Sequence, residues 1–174
     1  MFSKKSFCQI ILGTSLLLSA CTGTTSDGPN PGAIVPGQGV REVVLFDTQD
    51  KVEKNLGQPE TVTKNPFNPG NVIVQYPSKG LEISYLDGTV GSILLYSAGP
   101  KDGVTWQTYQ GSTAEGLWPE SSLKTVKSKL GQPLKELPQA IVYPGLWIRL
   151  DSKGQIESFS ISKDEANQLK ELGD

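Results

Sequence analysis

Five side chains of this sequence have the size and polarity that recognition needs: Leu94, Tyr96, Trp106, Trp147 and Arg149. In Leu146-Trp147-Ile148-Arg149-Leu150 the aliphatic residues alternate with Trp147 and Arg149. A strand there turns Trp147 and Arg149 away from the face that Leu146, Ile148 and Leu150 bury. Leu94 and Tyr96 oppose Ile93 and Leu95 in the same way, and Trp106 follows in the next apolar run. Trp, Tyr and Arg dominate protein interfaces because each combines a large buried area with hydrogen bonding. The chemistry on offer is non-covalent contact with another protein. The competing reading is that these rings pack beneath a loop or beneath another part of the chain.

Covalent chemistry finds little support. The chain has no histidine, which removes Ser-His and Cys-His nucleophile systems and the usual zinc ligands. Its two cysteines are Cys8 and Cys21, both at the N-terminal end. If that end is a cleaved leader, the remaining chain forms no internal disulfide. Asp47, Asp50, Glu53 and Glu60 read as a solvated helix surface, and Asp151 with Glu157 makes no convincing acid/base pair. Ser121-Ser122-Leu123-Lys124 has the spacing of a Ser-x-x-Lys nucleophile but fits a helix cap. No glycine-rich stretch precedes a helix so as to cradle phosphate. No catalytic residue, metal site or cofactor is therefore expected. The formal charge is −2, too acidic for the basic footprint of a nucleic-acid-binding protein.

The elements that must position these side chains are punctuated by an echo. Leu56-Gly57-Gln58-Pro59 returns as Leu130-Gly131-Gln132-Pro133. Before the first copy, Asp47 or Thr48 can cap a short helix with Val52 and Leu56 on one face. Before the second, Ser121 or Ser122 caps a helix bearing Leu123, Val126 and Leu130. The glycine offers the left-handed stop and the proline forbids continuation. Strands are expected at Val72–Tyr76, Leu81–Tyr85 and Val90–Tyr96, with a further run from Val104 to Tyr109 pairing with the one before it. In the second half they are expected at Leu146–Leu150 and Ile156–Ser162, followed by a C-terminal helix from Asp164. Lys64 to Gly70 reads as a loop. The fold class expected is α+β: two tandem helix-plus-antiparallel-meander repeats, 40–110 and 111–174, with helices on one face of a sheet. Periodicity leaves open whether the two meanders share one sheet.

Residues 1–20 read as a signal peptide, with Lys4 and Lys5 before the apolar run Ile10 to Leu18. Leu18-Ser19-Ala20-Cys21 resembles a bacterial lipoprotein lipobox. That resemblance implies cleavage before Cys21 and lipidation of it, a membrane lipid anchor at the periplasmic face of an outer membrane or at the cell surface. Residues 21–39, small, polar and broken by Pro and Gly, read as a flexible tether, with an edge strand at Ala33-Ile34-Val35 as the alternative. Helix, LGxP and a Tyr-Gly-hydrophobic meander, in tandem after a lipobox, together resemble the SmpA/OmlA (BamE-like) outer-membrane lipoproteins and the β-lactamase-inhibitor-protein-like (BLIP-like) fold. The first resemblance implies a non-catalytic protein-binding module of the cell envelope, with an envelope protein as partner. The second implies an inhibitor of a periplasmic or secreted enzyme.

Overall fold

The computed structural model describes residues 29–64, 68 and 70–163. The expected leader, the lipidation site Cys21 and the C-terminal helix from Asp164 lie outside the described residues. In chain order the elements are β1 (Ile34–Val35), β2 (Gly39–Val40), β3 (Val43–Val44), α1 (Gln49–Leu56), β4 (Thr61–Lys64), β5 (Val72–Tyr76), β6 (Leu81–Leu86), β7 (Thr89–Tyr96), β8 (Gly99–Lys101), β9 (Val104–Trp106), α2 (Leu123–Leu130), β10 (Lys135–Leu137), β11 (Ala140–Tyr143), β12 (Leu146–Leu150) and β13 (Ile156–Ser162).

The expected fold class needs correction. The protein is mostly β: among the described residues its only α-helices are α1 and α2, of eight residues each. Its strands do not divide into two helix-plus-meander units. Eight of them form one antiparallel sheet in the order β10-β11-β12-β13-β7-β6-β5-β4. The join is β13 against β7, with Phe159 opposite Leu95 and Ile161 opposite Ile93. This long-range pairing ties the expected second half into the first. The helices stay short because Gly57 (φ 84°) and Gly131 (φ 73°) end them in a backbone region that L side chains resist. Each stop is fixed from the sheet by a tyrosine. Tyr76 Oη donates to the Gly57 carbonyl at 3.2 Å, and Tyr143 Oη to that of Gly131 at 3.3 Å.

The core lies on one face of the sheet. Ile83, Ile93, Leu95, Ile148, Phe159 and Ile161 form its floor, and Val52 of α1 and Val126 of α2 are buried against them. Ile34, Val40, Val43 and Leu45 belong to the same cluster. The segment from Asn30 to Gly39 therefore departs from the expected tether. Its β1–β2 hairpin pairs Ile34 with Val40, Ile34 N–H donates to the Ser112 carbonyl at 3.0 Å, and Asn30 bridges to Gly111. Burial of Ala33 and Ile34 stabilises this ordering, at roughly 25 cal/mol per Å² removed from water. The strand alternative at Ala33-Ile34-Val35 is the one found, as residues Ile34–Val35.

One further expectation fails. The run from Val104 does not add to the sheet beside β7. Strand β9 pairs with β8 in a separate two-stranded hairpin, with Gly99 opposite Trp106 and Lys101 opposite Val104.

Candidate open-face binding site

The other face of the sheet carries the alternate positions. Register sets Trp147 opposite Val142 on one side and Ser160 on the other, with Ser160 opposite Leu94. One step along, Arg149 stands between Ala140 and Ser158, and Ser158 lies opposite Tyr96. Leu94, Tyr96, Trp147 and Arg149 thus occupy two adjacent cross-strand rows, each interrupted by a serine. Trp106 reaches them from the β8–β9 hairpin and stacks on Tyr96, with ring centroids 4.0 Å apart and planes inclined at 29°.

The five do not share one degree of exposure. Trp106 is 2% exposed and Leu94 is buried, while Tyr96 and Trp147 are half-buried and only Arg149 is exposed. The competing reading from sequence therefore holds for Trp106, which closes the hairpin over Tyr96. Burial pushes the Tyr96 phenol well above its ordinary value. Glu82 adds to that shift and Arg149 opposes it. Trp147 and Arg149 are the two of the five that combine a polar group with a place on the groove.

Sequence reasoning missed Glu157. The register slips between Arg149 and Leu150: Arg149 faces Ser158 but Leu150 faces Ile156, which leaves Glu157 as the extra residue of a β-bulge. Bulges re-aim side chains and cluster beside functional sites. Here the bulge accompanies an ion pair between Glu157 and Lys101 at 3.3 Å, with Lys101 Nζ also 5.9 Å from the Tyr96 ring centroid. No local pattern in the sequence marks such a slip.

These residues border an open groove of about 600 Å³, walled by Leu137, Pro138, Gln139 and Ala140 on one side and by Trp147, Arg149, Leu150 and Glu157 on the other. Two polar atoms on this face are buried without a hydrogen-bond partner, Trp147 Nε1 and Ser158 Oγ. A third such atom, Tyr85 Oη, belongs to the core on the opposite face. Buried polar groups are nearly always paired, so the Trp147 orphan, whose residue lines the groove, singles it out.

Two other depressions are less telling. A cleft of about 460 Å³ runs between α1 and residues 107–110, but its polar groups satisfy one another. Tyr109 Oη donates to Glu42 Oε2 at 3.1 Å, Asn55 Nδ2 to the Glu42 carbonyl at 2.9 Å and Arg41 to Asn30 Oδ1 at 3.0 Å. The second, of about 420 Å³, lies at the β4–β6 end and is mainly apolar.

The Ser-x-x-Lys spacing resolves into helix capping. Ser122 Oγ accepts from Thr125 N–H at 3.1 Å, and Ser121 Oγ accepts from Trp118 N–H at 3.0 Å. Among the described residues no three Asp, Glu, Cys or His side chains gather as metal ligands, and no helix is long and apolar enough to cross a membrane. Comparison of the chain with protein-family models, with curated proteins and with solved structures finds no match.

Proposed function

We propose that this chain is a non-catalytic protein-binding module that docks its partner on the open face of the eight-stranded sheet, over Trp147 and Arg149. The observation that carries the reading is the groove beside those residues, with its buried, unpartnered indole N–H. An indole N–H can only donate. Left unpaired it costs roughly 1–3 kcal/mol, and a partner's acceptor would remove that cost. The main core cluster lies on the other face, with Leu94, Trp106 and Val142 among the buried apolar residues of the open one. The Cys21 anchor and a role in envelope assembly or maintenance extend this proposal, and both rest on the lipobox residues alone.

The test is crosslinking followed by affinity capture of the full chain from membranes, beside a Trp147→Ala/Arg149→Ala variant whose far-ultraviolet circular dichroism matches the parent. A defined membrane-associated partner should be captured by the parent and lost in the variant. Capture of a soluble enzyme, with loss of its activity on mixing, would move the reading to an inhibitor. Equal capture by both forms would overturn the choice of surface.

A further inference from the structure

The groove has a surplus of donors. Trp147 Nε1 is buried and unpartnered and Arg149 is exposed; Ser158, the cross-strand neighbour of Arg149, lies outside the groove wall, 0% exposed with its hydroxyl unpartnered. Among the described residues Arg149 enters no ion pair closer than 4 Å and no side-chain hydrogen bond. Asp151, two residues along, turns its carboxylate to the Lys153 and Gln155 N–H groups at 2.8 Å, and the Glu157 carboxylate on the groove is held by Lys101 at 3.3 Å. The ion pair cancels two charges and leaves one uncompensated guanidinium at the rim. Beside it stand the apolar atoms of Leu137, Pro138, Ala140 and Leu150. A donor-rich, singly positive and partly apolar groove calls for a ligand that is acceptor-rich, singly negative and partly apolar.

We infer that the groove accepts a short protein segment bearing a carboxylate side chain beside an apolar one, with the carboxylate on Arg149. This rests on the protein-binding reading above and names the chemistry of the partner. A guanidinium matches a carboxylate through two parallel N–H···O bonds, which fixes orientation as well as adding affinity. The groove is open along the sheet and does not enclose, whereas small-molecule sites bury most of their ligand. The buried donors assign Trp147 a second part. Neither Trp147 Nε1 nor Ser158 Oγ is reached by solvent in the free chain, so the segment gains the indole N–H only as the Arg149 and Trp147 side chains shift onto it. Stability of the free chain and affinity for the segment then move in opposite directions when that N–H is removed.

The experiment is fluorescence anisotropy with short labelled peptides that place one Asp or Glu between apolar residues, each measured against its Asn or Gln twin. The full chain should prefer the acidic member by about tenfold, the worth of one charge-assisted hydrogen bond. Arg149→Gln, an exposed and fold-neutral change, should erase that preference. Trp147→Phe keeps a six-membered aromatic ring and deletes the N–H together with the rest of the five-membered ring. It should raise the melting temperature of the free protein and still weaken acidic-peptide binding severalfold. The inference is overturned by equal binding of the twins, by a preference that survives Arg149→Gln, or by Trp147→Phe leaving affinity unchanged. Should it fail while membrane capture still depends on Trp147 and Arg149, the docking face stands and only the acidic segment is refuted.

Discussion

Alkaline pH should unfold this protein cooperatively, because its tyrosines are all set in places that resist ionisation. There are five. Burial raises the Tyr76 phenol to about 12, with Glu53 adding to it. Burial drives Tyr85, Tyr96 and Tyr109 higher still, and Glu42, which accepts the Tyr109 hydroxyl at 3.1 Å, adds to the last. Tyr143 moves in the same direction for the same cause. In the unfolded chain phenols lose their protons near pH 10. Above that value the unfolded state holds fewer protons than the folded one, so stability falls as pH rises. It is fully present below about pH 10 and drains away through the folded-state values at 12 and beyond. Each strongly raised phenol costs roughly 1.4 kcal/mol per pH unit, so four together cost on the order of 5 kcal/mol at about pH 11. Set against a typical total of about 5–15 kcal/mol, the midpoint should fall between about pH 11 and pH 12. Phenolate absorbance and far-ultraviolet circular dichroism should change in one coincident step. A smooth phenolate titration centred near pH 10, with circular dichroism intact, would refute this account of the core.

Two further predictions concern packing and strain. Trp106→Ala should cost about 3–5 kcal/mol, the usual range for emptying a buried Trp site, and its effect should be local. Hydrogen exchange should quicken across residues 99–106 and at Tyr96 while β12 and β13 stay protected. A loss under about 1 kcal/mol in urea unfolding would mean that the ring stack does not hold the hairpin. Phe46 sits at φ 71° with its side chain 64% exposed, so it bears left-handed strain without the compensation of burial. Phe46→Gly should raise stability by about 1 kcal/mol in the same assay. A clear loss would show that the ring's approach to Lys163, at 5.8 Å, contributes more than the strain costs.

What the sequence revealed follows from where burial is one-sided. β5, β6 and β12 bury one face and leave the other wetter, so their alternation is plain, and they stand where that pattern put them, as do β7 and β13 with both faces partly covered. β4 escaped notice because all four of its residues are exposed at the sheet edge. β11, Ala140–Tyr143, escaped for the opposite reason: every residue is buried, so nothing alternates, and Pro138 and Pro144 flank it like loop residues. The fold class was misjudged because the repeated Leu-Gly-Gln-Pro marks helix ends clearly but says nothing of how β13 finds β7, more than sixty residues away. The same limit applied at the site. Alternation placed Trp147, Arg149, Leu94 and Tyr96 on one face, but the fold of the β8–β9 hairpin over Tyr96 and the bulge at Glu157 are tertiary facts.

The groove is also where this sequence departs from what stability alone would favour. A sheet with its core on one side can leave the other side plainly wet, and most of this face does so. Ser84 stands opposite Ser92, and Gln75 donates to Glu82 across the strands at 2.8 Å. Around β12 the pattern changes. Phe at position 147 would keep an aromatic ring without an orphaned donor, and Ala at 158 would leave no hydroxyl buried and unpaired. Each such group costs roughly 1–3 kcal/mol in the free chain. The Arg149 guanidinium, for its part, stands without an ion pair while a neighbouring carboxylate is committed to Lys101. Local rules broken together at one place, with no gain to the fold, are what the proposed docking of a partner would explain. The core tyrosine Tyr85 breaks the rule alone, and the charges that bear on it are the carboxylates of Glu53 and Asp47, so no acidic partner is inferred there. Trp147, Ser158 and Arg149 share one face, and at Trp147 and Arg149, which share the groove, an incoming acceptor would meet both unpaired donors together.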